Sequence, residues 1–164
     1  MATEKEIVDV FKRIESEVSG FIAASLVDLD SGMTLGVHSA RPDFDLGAAS
    51  AYNSEIVKQK NKAIAALGLK STLEDILLTL SDQIHLIKLV GPRTFIYFAA
   101  DKGQTNLAIV RASVSKHAPA LAWEGLHGAT RATASSDLGQ GAWLSRGRWI
   151  DMQTHINEVT QEAG

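Results

Sequence analysis

Hydrophobic and polar positions change period several times along this chain, and the densest apolar pattern is residues 76–101, ILLTLSDQIHLIKLVGPRTFIYFAAD. Three apolar runs build it, at 73–80, 84–90 and 94–100, separated by Ser81-Asp82-Gln83 and Gly91-Pro92-Arg93. Proline cannot donate to a strand ladder and glycine permits a tight reversal, so the breaks read as turns. Turns this short pair neighbouring runs antiparallel. Leu86, Ile87, Leu89 and Val90 are nearly consecutive, as are Phe95 to Ala100. Strands apolar on both faces are covered on both faces, which predicts a meander sandwiched between helices. Glu74, Asp75 and Thr79 interrupt the first run and mark it as a sheet margin. Its centre, Ile76-Leu77-Leu78, is nonetheless apolar enough to invite a partner strand.

The flanking segments supply the helices. Thr3-Glu4-Lys5-Glu6 fits a capping box, and Ile7, Val10, Phe11, Ile14 and Val18 follow at helical spacing, predicting a helix over 4–18. Residues 21–29 and 33–37 read as a hairpin around Asp30-Ser31-Gly32. A long helix is expected over 46–67, with Ala49, Tyr52, Ile56, Ala63, Ile64 and Leu67 on one face and Gly68 at its C-terminal cap. Small residues crowd its start at 47–51, and Lys58, Lys60 and Lys62 read as solvated. Residues 106–116 predict a third helix, capped by Thr105 or Asn106 and limited by Pro119; Leu107, Val110, Val114 and Ala118 form its buried stripe.

The pattern then changes. Residues 1–124 read as one domain, and 125–147, rich in Gly, Ala, Ser and Thr, as a flexible linker. Helical spacing returns in 148–164 through Trp149, Met152, Ile156 and Val159. That predicts an amphipathic helix whose stripe docks on its own domain or on a second subunit.

Composition narrows the function classes. Of 164 residues, 45% are hydrophobic and 21% charged, with a net charge of −3, so nothing draws the chain toward nucleic acid or anionic membrane. There is no cysteine, which removes thiol chemistry. The N-terminal segment lacks the apolar core of a secretory signal and no run reaches the ~20 residues of a membrane helix, so a cytoplasmic protein without membrane insertion is expected. No phosphate loop, dinucleotide fingerprint or serine elbow is present, and the histidines at 38, 85, 117, 127 and 155 lack metal-ligand spacing. His85, on the second meander strand, reads as a packed or edge-facing imidazole. Asp28 and Asp30 read as turn residues, and Arg41 as a solvated loop residue. No catalytic, cofactor-binding or metal-binding residue is assigned, and no enzyme activity or cofactor is expected.

The segment 20–32, GFIAASLVDLDSG, the helix start Ala48-Ala49-Ser50-Ala51, and Asn106-Leu107-Ala108-Ile109-Val110-Arg111 together resemble the roadblock/dynein light chain family over residues 4–118. The resemblance implies an α-β-β-α-β-β-β-α domain: one five-stranded antiparallel sheet of order 2-1-5-4-3, with the middle helix on one face and the other two helices on the opposite face. It also implies a homodimer made by third strands paired edge to edge and middle helices side by side. Tyr52, Ile56, Lys60 and Ala63 would then join Glu74, Ile76, Leu78 and Leu80 in the interface. Family members serve as non-catalytic scaffolds, motor light chains or regulators of Ras-like small GTPases. A homodimeric scaffold or regulator of such a GTPase or of a signalling complex is therefore expected. The alternative is a small-molecule-sensing α/β domain, which would need convergent polar groups facing the core, and the apolar strands offer few.

Overall fold

The computed structural model describes residues 2–122 and the backbone of 142–145 and 148–151. The chain divides into two units, Met1–Trp123 and Glu124–Gly164. In the first, α1 (Glu4–Glu17) leads into β1 (Phe21–Asp28) and β2 (Thr34–Ser39). Next come α2 (Leu46–Ala66), the meander β3 (Asp75–Thr79), β4 (Gln83–Leu89) and β5 (Thr94–Asp101), then α3 (Leu107–His117) and a 3-10 turn over Ala118–Leu121. The five strands form one antiparallel sheet of order β2-β1-β5-β4-β3. This is the architecture and strand order that the resemblance implied.

β5 lies in the middle of that order and is buried from Thr94 to Ala100. Its alternation serves two cores at once. Ile96, Phe98 and Ala100 join Phe11 and Ile14 of α1 and Val110 and Val114 of α3 on one face. On the other, Phe95, Tyr97 and Ala99 join Ile22, Val27, Ile87 and, from α2, Leu46 and Val57. A strand covered on both sides has no room for polar positions, which accounts for the unbroken apolar run.

Local chemistry sets the helix ends. Thr3 completes the capping box with Glu6, and Asn106 is the cap of α3, its side chain accepting from the Ile109 amide at 3.1 Å. Helix α3 therefore starts and stops one residue later than the spacing predicts. Asp45 caps α2 through the Ala48 amide at 2.9 Å. Gly20, Gly32 and Gly68 adopt positive φ at the turns closing α1, the first hairpin and α2, where a side chain would be strained. β2 begins at Thr34, with Met33 left 69% exposed.

The sheet-facing side of α2 is Leu46, Ser50, Asn53, Ser54 and Val57, so the shared face from Ala49 to Leu67 is a different side of the helix. Small side chains let the helix lie close to the sheet, and their polar atoms are satisfied across that contact. Ser50 Oγ lies 2.9 Å from Ser25 Oγ, and Ser54 Oγ donates to the Leu29 carbonyl at 2.6 Å. In the C-terminal unit, β6 (Ala142–Ser145) and β7 (Arg148–Asp151) form an antiparallel hairpin where linker and then helix were expected. The helical spacing counted from Trp149 onward and passed over the facing pairs Trp143–Ile150 and Leu144–Trp149, residue types that favour strands. Met152, Ile156 and Val159 lie outside the described residues, as does most of 125–147.

The α1–α3 contact ends in a charged cluster. Glu17 accepts from Lys116 Nζ at 2.7 Å, Ser113 Oγ at 2.7 Å and His117 Nε2 at 3.0 Å. These donors, Lys116 foremost, hold the Glu17 carboxyl down to about 2 from its ordinary 4.5. A carboxyl depressed in the fold stabilises it above the unfolded value and loses that contribution as pH falls through the folded one. Glu17→Gln should therefore melt below wild type at pH 7, and the gap should close between about pH 4.5 and 2; thermal melts across that range check it. A second test concerns α1 against β2. A Cβ on Gly36 would sit 2.6 Å from Ile7 Cγ2. Gly36→Ala should cost about 1–3 kcal/mol by overpacking, read from urea unfolding midpoints.

Candidate dimer interface

Helix α2 carries its apolar side chains on the wrong side for a helix buried only against its own sheet. The sheet side is largely Ser and Asn, whereas Tyr52 is 75% exposed, Ile56 38% and Leu67 73%. Lys60 and Ala63 are exposed as well. Steps of four, four and three residues from Tyr52 through Ile56 and Lys60 to Ala63 keep these four within about 80° of arc on one flank. Leu67 continues the flank past the last turn. Its step of four from Ala63 was visible in the sequence, where it was placed on the same face of the helix.

The second part is β3. It ends the sheet, with β4 as its neighbour on one side and no strand on the other among the described residues. The backbone donors and acceptors of alternate residues therefore point outward unpaired. Ile76 and Leu78 are half-buried and pack with the α2-side core. In register they face Ile87 and His85 of β4. Glu74 and Leu80, in step with them at period two, lie just beyond the strand ends and are exposed. Leu77 points to the other face, among the α1–α3 core. Asp75 is tied to α3 by Arg111 Nη2 at 2.7 Å, which fixes the first residue of the edge strand.

The expected interface residues thus fall into two groups, a flank of α2 and a margin of the sheet. Trp149, expected in a docking stripe, stands in β7 of the separate C-terminal unit. Behind β3 lies a polar group that sequence reading placed only as a packed imidazole. His85 Nε2 lies 2.8 Å from Gln83 Oε1, and Tyr97 Oη lies 3.2 Å from His85 Nδ1. Because the amide oxygen only accepts, Nε2 carries the proton and Nδ1 accepts from the phenol. Burial pushes Tyr97 up to about 12 and His85 below its ordinary 6.5, and the Asp82 charge opposes the second shift. The convergence of Gln83, His85 and Tyr97 depends on strand register, so no local sequence signal announces it.

Two features bear on small ligands. A cleft of about 770 Å3 opens at the C-terminal end of α2, with Ile64, Leu69, Leu73 and Leu89 in its wall and Glu74 and Lys88 at its rim. Among the described residues no group of three or more His, Asp or Glu side chains is placed to hold a metal ion. None of the described helices is long and apolar enough to cross a membrane.

No protein-family model matches the chain, and no curated protein does. Solved structures do. MglB from Myxococcus xanthus superposes with a TM-score of 0.67 at 16% identity, covering 74% of this chain and 89% of that one. The gliding protein MglB from Thermus thermophilus gives 0.65 at 17% identity over 74% and 90%. A Roadblock/LC7 domain from Streptomyces avermitilis gives 0.62 at 16% identity over 70% and 92%. With the strand order and helix placement described above, these likenesses establish that the chain has the roadblock/LC7 fold.

Proposed function

We propose that the protein is a non-catalytic homodimeric scaffold or regulator, acting in the cytoplasm on a Ras-like small GTPase or a signalling complex. The observations that carry this reading are the exposed Tyr52, Ile56 and Leu67 of α2 and an apolar sheet edge at β3 with no strand partner beyond it among the described residues. A second copy satisfies both at once. Antiparallel pairing of β3 with its twin extends the sheet across a two-fold axis and pairs the outward backbone groups. A five-residue strand is only about 17 Å long and contributes few hydrogen bonds. The 21-residue α2, about 31 Å long, adds the apolar area that a stable interface needs. The roadblock/LC7 fold supports the regulatory part of the reading, because proteins of that family work through surfaces offered to partners.

The small-molecule-sensing alternative draws on the cleft beside Ile64 and Leu69. Its rim pairs the acidic Glu74 with the basic Lys88, so it selects neither anions nor cations. The interaction reading is the stronger one.

Two outcomes follow. Leu78→Lys or Tyr52→Glu should weaken dimerisation at least about tenfold, equivalent to roughly 1.4 kcal/mol, with the subunit still folded. Light scattering over a dilution series reads this, and a wild type monomeric at high micromolar concentration would remove the dimer. Calorimetry of the isolated protein with GTP and magnesium should give no saturable heat. Micromolar binding there would overturn the non-catalytic reading.

A further inference from the structure

We propose that His85 makes dimerisation proton-sensitive, so that the dimer is favoured at neutral pH and loosens as the solution becomes mildly acidic. The inference rests on the dimer reading above and concerns the regulation of that same surface.

The geometry comes first. His85 is one strand inboard of the β3 edge, directly opposite Leu78 and on the face shared by Ile76, Ile87 and Tyr97. Its ring meets the Tyr97 ring edge-on at 5.6 Å between centroids. It is only half-buried in one subunit. A second subunit that covers the Ile76–Leu78 face and the α2 flank removes water from the same neighbourhood, and that raises the cost of an imidazolium there.

The hydrogen bonds favour the neutral ring as well. With Nε2–H donated to Gln83, the unprotonated Nδ1 is the acceptor recorded for the Tyr97 hydroxyl. Protonating Nδ1 makes it a donor to the phenol oxygen, so the phenol O–H must turn away and loses its acceptor. The surrounding groups do little to offset this. β3 brings apolar Ile76 and Leu78, β5 brings Ala99 and the phenol of Tyr97, and α2 brings Leu46, Ala49 and Val57 to this core. Asp82 in the β3–β4 turn supplies the one charge that favours the imidazolium, and burial outweighs it.

The sign follows from linkage. A histidine held more strongly neutral in the dimer than in the free subunit releases protons on association, so the dimer is fully favoured at neutral pH and weakens as pH falls through the free subunit's value, which burial already holds below 6.5. His38 and His117 each face a glutamate within their own subunit, Glu15 at 2.6 Å and Glu17 at 3.0 Å.

Analytical ultracentrifugation of the full chain at pH 7.5 and 5.5 tests the proposal, with near-UV circular dichroism following the fold. The wild-type dissociation constant should rise by roughly fivefold or more between the two. That of His85→Gln, referred to its own value at pH 7.5, should stay flat. In wild type, the His85 ring resonance followed by NMR should titrate at lower pH in concentrated than in dilute solution. Equal pH dependence in the two proteins, a titration independent of concentration, or loss of the fold by pH 5.5 would each overturn the proposal. A dimer that is present at pH 7.5 and indifferent to acid removes the switch alone, whereas a monomer at pH 7.5 removes the dimer with it.

Discussion

Everything in the first unit hangs on β5, the last strand in sequence and the central one in space. Its side chains contribute to both cores, and its backbone joins β1 to β4. The two hairpins that precede it therefore share no strand pairing until β5 lies between them. Most of the long-range order in the sheet is a consequence of that insertion. It also determines the margins. Placing β5 inside leaves β2 and β3 outside, each paired on one side only.

The two margins are finished differently. β2 is wrapped by α1, which approaches so closely that Gly36 has no space for a side chain beside Ile7. Glu15 reaches across to His38 on the same strand, and the His38 ring stacks on Phe21. Among the described residues β3 has no comparable helix along its edge. The Arg111–Asp75 pair secures its first residue, and beyond that its residues stay partly open to solvent. Natural sheets rarely leave an apolar edge in this condition without short length, charge or cover to prevent pairing. Here short length is present and charge is confined to one end.

Legibility in the sequence divided along physical lines. The meander could be read because burial on two faces produces long apolar runs, and its breaks are made of Gly, Pro, Ser and Asp. The caps at Thr3 and Asn106 could be read because each acts within three residues of itself. The strand order could not be derived from periodicity, since nothing in a run of apolar residues says which neighbour it takes; it came from the family resemblance. The sheet-facing side of α2 went unread for a sharper reason. Hydrophobic periodicity finds the side with the larger apolar residues, and Ser50 and Ser54 are buried because Ser25 and the Leu29 carbonyl await them across a gap in sequence. The end of the chain was misread when spacing from Trp149 outweighed the strand pair formed with residues 142–145.

The face that periodicity does find on α2 is itself informative. It holds Ala49, Tyr52, Ile56, Ala63, Ile64 and Leu67; Tyr52, Ile56, Ala63 and Leu67 are exposed in the single subunit, whereas Ala49 packs against its core. One exposed leucine calls for no explanation, because much of any protein surface is apolar. Several in phase along one helix form an exposed apolar surface, and the sheet edge adds half-buried Ile76 and Leu78 with no strand partner beyond them among the described residues. Under the proposed dimer, that face of the sequence pattern corresponds to what a second copy would cover.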